Sequence, residues 1–433
     1  MEPAHAACAL LSLAPLLVLG VPPIWTQPEQ VHLSYPGVPG SMVVTWTTFN
    51  KTESKVEYSL LGGRLFDMTA KGDATLFVDS GEEKRKMYIH RVKLTGLKPA
   101  TAYVYHCGSD EGWSDVFFFT ALNDSTSFSP RFALYGDLGN ENPQSLARLQ
   151  KETQLGMYDV VLHIGTSRHL HSDNARIGDE FMRQIQSIAA YLPYMTCPGN
   201  HEATYNFSNY RNRFSMPGQT ESLWYSWNLG SAHIISFSTE VYFYLEYGLE
   251  LLFKQYEWLK KDLEEANKPE NRAVRPWIIT MGHRPMYCSD DDQDDCTKFD
   301  SYVYTKPLAP GLEDLFYRYG VDLELWAHEH TYERLWPVYG DKVYNGSKEQ
   351  PYVNPKAPVH IVTGSAGCRE KTDRFNPNPK EWSAFRSTDY GYTRMQVVNT
   401  THVYLEQVSD DQYGKVIDSI WVVKEKHGFS AWF

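Results

Sequence analysis

Positive charge is in deficit in this 433-residue chain: 41 Lys and Arg against 53 Asp and Glu give a net charge of −12. A uniformly acidic protein has no electrostatic grip on a polyanion, so nucleic acid is set aside as a partner. Cysteine is sparse too. Six cysteines cannot staple a chain of this length, so the fold must rest on a hydrophobic core. Without Cys8, which lies in the first apolar run, Cys107, Cys197, Cys288, Cys296 and Cys368 remain. That is an odd number, so at least one is unpaired within the chain. Cys288 and Cys296 flank an acidic stretch at 290–295, and their spacing permits a bridge. Long apolar runs are also missing. Residues 9–19 (ALLSLAPLLVL) have the length of a signal-peptide core, and no later stretch is long enough to span a bilayer. Residues 1–22 are therefore expected to be a signal peptide, although no Lys or Arg precedes the apolar run.

What is present agrees with that route. Asn50, Asn123, Asn206, Asn345 and Asn399 each begin an Asn-x-Ser/Thr triplet, the acceptor pattern for N-glycosylation. A secreted or lysosomal glycoprotein with no stable membrane insertion is the expectation. The length favours two domains. Residues 27–122 read as all-β: stretches beginning at Val31, Met42, Tyr88 and Tyr103 alternate in polarity, and Gly and Pro punctuate the gaps. Short strands at this spacing predict a β-sandwich of fibronectin III type, with Trp46 and Tyr103 in its core. Residues 123–130 read as a linker.

Beyond Pro130 short apolar runs alternate with helical patterns. Strands are predicted at 131–135, 160–164, 194–196, 233–237, 277–281 and 321–325, and helices at 143–157, 175–190 and 252–267. This alternation implies an α/β layered domain over 128–405, followed by a tail at 406–433 that packs on it or follows it. Ligands in such folds sit beyond the carboxyl ends of the strands. Four of these strands run into a metal-ligand type there. They lead to Gly136-Asp137, to Gly199-Asn200-His201-Glu202, to Gly282-His283 and to His328-Glu329-His330. Each piece alone is weak, since a lone Gly-Asp is usually a turn and a lone buried histidine is usually a satisfied core residue. The ordered set is a strong signal for paired metal ions.

Taken with Tyr88-Ile-His90, the 107–113 stretch CGSDEGW and Gly364-Ser-Ala-Gly367, these motifs resemble those of the purple acid phosphatases, in their animal long form. The likeness covers nearly the whole chain after residue 22. It implies a fibronectin III-like domain followed by an α/β/β/α sandwich of the metallophosphoesterase kind. It also implies a site holding iron and a second divalent metal, Zn or Mn, which hydrolyses phosphate monoesters with a metal-bound hydroxide. By the resemblance Asp137 and His330 serve the iron, while Asn200, His283 and His328 serve the second metal. His201 stands beside the substrate phosphate and can protonate the leaving group. Phosphorylated small molecules or phosphoproteins are the implied substrates. The donor set suits Fe, Mn or Zn, and a histidine free of metal can supply a proton in mild acid.

The pattern breaks in one place. The family carries Gly-Asp-x-x-Tyr after the second strand of this domain, its Asp bridging both metals and its Tyr binding iron. Here Gly165 is followed by Thr166, and His169 stands at the tyrosine position. Two divalent ions about 3.5 Å apart repel by roughly 20 kcal/mol at an effective dielectric of about 20. A bridging carboxylate offsets much of that, and a threonine hydroxyl does not. Weakened iron binding and no tyrosinate colour are expected. Either His169, His171 or Asp173 replaces the lost ligands, or the chain is an inactive binding protein on the same scaffold, or the block is a splice or gene-model difference. A phosphodiesterase or pyrophosphatase using the same metals is a further alternative. Plant members also carry a histidine in the loop after Gly-His, whereas residues 287–293 here have none.

Overall fold

The computed structural model describes residues 23–165, 170–291, 296 and 311–433. The expected signal peptide and the two replaced positions, Thr166 and His169, lie outside the described residues.

Residues 29–120 form a β-sandwich. Its alternating strands bury Val31, Leu33, Val44, Trp46, Tyr103 and Tyr105 on the inner faces. Met68–Val78 joins the two layers. It pairs with Ser54–Leu60 through its first residues and with Lys86–Leu94 through its last. Gly72 stands at the changeover, where an added Cβ would lie 2.0 Å from the Arg91 carbonyl oxygen. This strand was not foreseen, because its largely exposed faces show no alternation of burial.

The second domain has two sheets. The first runs in the order Tyr194–Cys197, Val160–Ile164, Arg131–Gly136, Gly391–Val397, His402–Ser409, Lys415–Val423. Its first three strands are parallel, and the rest pair antiparallel. The second runs Tyr225–Leu229, Ala232–Ser236, Trp277–Met281, Leu323–Trp326, Val359–Thr363, Tyr332–Leu335, Ser383–Ser387, with the strands from Ala232 to Thr363 parallel in the middle. One continuous apolar core fills the space between the sheets. Tyr225 Oη and Ser236 Oγ from the second sheet both donate to the Thr196 carbonyl of the first. Amphipathic helices Ser172–Ala189 and Glu250–Ala266 bury one face each against this core. The α/β/β/α layering is as the resemblance implied. No helix among the described residues is long and apolar enough to cross a membrane.

One expectation needs correction. Residues 406–433 are not a tail laid on a finished domain. The boundary at 405 falls inside His402–Ser409, and that strand and Lys415–Val423 complete the first sheet. Alternating burial along His402–Ser409 drives this, since Val403, Leu405 and Val408 face the core. Past the sheet, Lys424 is buried in an ion pair with Asp322 and lies 3.9 Å from the Trp432 ring.

The two domains are locked by polar contacts. Arg213 Nη2 and Arg85 Nη2 bind the two oxygens of Asp179 at 2.9 and 2.7 Å, and Arg213 Nη1 reaches Gln30 at 2.9 Å. Tyr105 Oη donates to the Ala190 carbonyl at 2.7 Å. These bonds hold helix Ser172–Ala189, which follows directly on the replaced block.

Candidate metal centre

The four strand ends converge at a close contact between the two sheets. Gly136 closes strand Arg131–Gly136, and a Cβ there would sit 2.2 Å from Cβ of Ala327 in the facing sheet. Only glycine permits that approach, and the approach brings Asp137 and His328 together. The His328 backbone N–H donates to Asp137 Oδ2 at 2.8 Å. Both residues hold left-handed backbone, with φ of 55° at Asp137 and 69° at His328. Such conformations cost about 1–3 kcal/mol each outside glycine and persist where surrounding contacts impose them, often at functional sites.

His283 is the centrepiece. Its ring is fully buried between two glycines: a Cβ on Gly165 would lie 2.0 Å from Nδ1, and a Cβ on Gly199 3.0 Å from Nε2. Nε2 lies 3.1 Å from Asn200 Oδ1 and 3.2 Å from His328 Nδ1. Nδ1 has no hydrogen-bond partner among the described residues and stands 3.9 Å from Asp137 Oδ1. Burial, reinforced by the neighbouring histidines and Arg284, pushes its pKa well below the usual imidazole range.

The opposite half holds Asp137 and His330. Asp137 is 1% exposed. Burial pushes its carboxyl up to about 6, with His330 and His328 opposing that rise. His330 Nδ1 faces the Lys371 carbonyl at 3.0 Å, so the ring proton belongs there and Nε2 keeps its lone pair. Its backbone N–H donates to Asp373 Oδ2 at 2.6 Å. His201 sits half-buried in the 3-10 turn Asn200–Glu202 and acts electrostatically on both His283 and Glu370, at the mouth of the same cluster. The structure thus brings together Asp137, Asn200, His201, His283, His328 and His330. Of the candidate replacement ligands, Asp173 pairs with Arg176 at 3.3 Å near the surface, and the His171 ring packs edge-on to Tyr205 at 5.7 Å. His169 lies outside the described residues.

The donor set fits a metal ion. Two ligand atoms about 2.1 Å from one ion lie about 3.0 Å apart at a right angle and about 3.4 Å apart at a tetrahedral angle. The separations of 3.1 and 3.2 Å about His283 Nε2 fall inside that range. One neighbour must adjust. Arg284 Nη1, a donor, faces His328 Nε2 at 3.1 Å, which leaves the ring proton on Nδ1. Ligation through Nδ1 moves that proton to Nε2 and turns Arg284 away from it, back toward Glu240, with which it already pairs at 3.0 Å.

Sequence reasoning overlooked several parts of this site. Arg284 and Glu240 are a buried ion pair, and nothing in the local sequence distinguishes them from surface charges. Tyr244 Oη donates to the Asn200 carbonyl at 3.1 Å. The Cys288–Cys296 disulfide, permitted by the sequence, is formed, and Cys296 Sγ lies 3.1 Å from Oε1 of Glu329, which stands between His328 and His330 in the chain. In the acidic stretch after Cys288, Asp290 is buried and accepts from Thr331 Oγ1 at 3.0 Å. The glycosylation candidates Asn50, Asn123, Asn206 and Asn345 are half-buried, and Asn399 is exposed in a tight turn.

Comparison with known proteins accounts for the arrangement. Residues 28–121 match the family model for the purple acid phosphatase N-terminal domain, and 130–332 match that of the calcineurin-like phosphoesterases. Residues 357–419 match one described as iron/zinc purple acid phosphatase-like protein C. Acid phosphatase type 7 of Danio rerio is 74% identical over 417 residues, spanning 95% of this chain and 94% of that protein. The chain belongs to the purple acid phosphatase family. It is a metallophosphoesterase of the acid phosphatase kind. The human acid phosphatase type 7 is 58% identical over 423 residues, covering 97% and 95% of the two chains. The Fe(3+)-Zn(2+) purple acid phosphatase 12 of Arabidopsis thaliana is 30% identical over 430 residues, covering 94% and 86%. Among solved structures, the purple acid phosphatase PPD1 of yellow lupin superposes with a TM-score of 0.78 at 26% identity, over 92% of this chain and 75% of that one.

Proposed function

We propose that this purple acid phosphatase hydrolyses phosphate monoesters in mild acid at a two-cation centre split between Asn200–His283–His328 and Asp137–His330. One observation carries the reading: Asn200 Oδ1 and His328 Nδ1 both lie 3.1–3.2 Å from His283 Nε2, the spacing of ligands around one ion. Iron and zinc are the cations, in keeping with the Arabidopsis relative and with the nitrogen and oxygen donors. When bound, such a pair neutralises phosphate oxygens and activates water for in-line attack.

The chain's own residues do the rest. His283, held between Gly165 and Gly199, keeps its imidazole neutral in acid and so remains a competent ligand. Asp137 and His328 are fixed to each other across the two sheets, so the two halves keep their spacing. His201, half-buried beside the cluster, is the residue that would hold or release a proton at a leaving oxygen, the role the family resemblance gives it. The residues that follow Gly165 bring neither the bridging carboxylate nor the tyrosine of the family. The Asp137–His330 half is therefore the weaker one. The five Asn-x-Ser/Thr triplets and the apolar N-terminal run support a secretory route, with glycans on some of those asparagines.

The decisive experiment is metal analysis with p-nitrophenyl phosphate turnover on the whole chain. At least one ion per chain with turnover in mild acid is expected. Less than one ion per chain without turnover overturns the enzyme reading and leaves an inactive binding protein. Faster turnover of a diester or pyrophosphate in the same assay overturns the monoester preference.

A further inference from the structure

We propose, resting on the monoester reading above, that an aromatic ledge made by Tyr205 and residues 243–247 receives the leaving group, so that the centre takes phosphate esters of phenols.

The stretch Tyr242-Phe-Tyr-Leu-Glu-Tyr247 is rich in aromatic rings. It follows strand Ala232–Ser236 and runs through two 3-10 turns, Glu240–Tyr242 and Leu245–Tyr247. Two contacts fix it to the metal centre. Tyr244 Oη donates to the Asn200 carbonyl at 3.1 Å. The Phe243 ring lies 4.2 Å from the guanidinium carbon of Arg284, whose Nη1 faces His328. Val241 and Tyr242 are buried in the core, whereas Leu245 is 41% exposed and Tyr247 is half-buried.

The other part of the ledge comes from helix Thr204–Arg213, which begins just after the Asn200–Glu202 turn that carries His201. Tyr205, Asn206 and Phe207 hold left-handed backbone, with φ of 55°, 55° and 60°. Such residues cost about 1–3 kcal/mol each and persist where surrounding contacts impose them, often at ligand clamps. This turn buries Phe207 completely and leaves Tyr205 44% exposed. The Phe207 and Tyr247 rings meet at 6.3 Å, so the two pieces form one surface. Exposed apolar groups that cluster, rather than scatter, mark binding surfaces. This cluster is continuous with Asn200 and His201, so its occupant is the part of the substrate that the phosphate leaves behind. Ring faces and edges take a flat aromatic group by offset or edge-to-face contact, and a polyol offers no such face.

The chemistry of departure gives a second, independent reason. As a water oxygen bonds to phosphorus, the ester P–O bond breaks, its electron pair leaves on the ester oxygen, and that oxygen takes up a proton. Residues 287–293 contain no histidine, so His201 is the donor this chain offers there. A phenol, with a pKa of about 10, departs as its anion more readily than an aliphatic alcohol and asks less of a proton donor.

The whole chain, loaded with iron and zinc, tests this in a way that separates ring binding from leaving-group reactivity. Phenylphosphonate and methylphosphonate have no ester bond to lose and compete with p-nitrophenyl phosphate. Phenylphosphonate should inhibit at least about tenfold more tightly. Tyr205→Ala and Tyr247→Ala should each shrink that ratio at least about threefold, and Tyr205→Phe, which keeps the ring, should keep it. Phenyl phosphate and a phosphotyrosine peptide should both exceed β-glycerophosphate in kcat/KM, and the faster of the two tells whether the phenol belongs to a small molecule or to a protein. Equal inhibition by the two phosphonates, or a ratio that neither alanine variant moves, overturns the ledge and leaves the phosphatase reading standing. No turnover of any of these esters overturns both readings.

Discussion

On one side of the centre His283 is wedged between Gly165 and Gly199, with two donors at ligand spacing from a single nitrogen. On the other side His330 is half-buried, its partners are a backbone carbonyl and a thiol, and Asp137 reaches across from the opposite sheet. The first half is made of rigid strand ends in van der Waals contact. The second depends on the loops at 137–142 and 364–373 and on a block whose chemistry has changed. Preorganisation by backbone contact and preorganisation by charge are separable, and this chain has kept the first more fully than the second.

The largest way to break the comparison is His283→Ala. It removes the atom shared by the better half-site and opens a cavity between two glycines. Activity should fall by about 100-fold or more, with loss of one ion per chain by metal analysis. The same substitution at His330 should cost less if the second half is already impaired; an equal loss would show the two halves to be equally filled. Next in size is repair. The double change Thr166→Asp and His169→Tyr restores the missing anions and should raise turnover at least about tenfold with iron present, together with a visible tyrosinate absorption. No gain would place the defect elsewhere.

Acid should separate the halves without mutation. Asp137, raised to about 6 by burial, takes up a proton as pH falls through that value, and this proton competes with its cation. His283, pushed well below the usual range, meets no such competition there. Metal retained after dialysis between pH 7 and 5 should therefore fall first by the ion of the Asp137 half, by about tenfold in affinity per pH unit below 6. Simultaneous release of both ions would contradict this.

The smallest effect is on stability. In the metal-free protein a carboxyl whose folded pKa is raised contributes stability below its unfolded pKa of 3.8, and this is lost as pH rises through about 6. Metal-free Asp137→Asn should be more stable than wild type at pH 7.5 by about 3 kcal/mol and close to it near pH 4, read by urea denaturation.

Much of this site was legible in the chain. Asp137, Asn200, His201, His283, His328 and His330 stand just past short apolar runs, and a buried parallel strand must end where its hydrophobic residues stop. The sandwich strands that alternate cleanly were equally readable. Met68–Val78 was not, since it is exposed on both faces and switches layers. The sheet strands beyond residue 390 alternate, but only their pairing with Arg131–Gly136 makes them part of the catalytic layer.

The order and residue types of the polar strand ends follow from the sequence alone, because each is a local pattern of apolar run, glycine and polar end, and the family resemblance adds the anions missing at Thr166 and His169. The tertiary structure alone decided that Cys368 faces His330, that Arg284 faces His328 and that Gly136 meets Ala327. Those contacts join segments dozens to nearly two hundred residues apart. They come into being only when two twisted sheets close on one core, and no short-range periodicity encodes that closure.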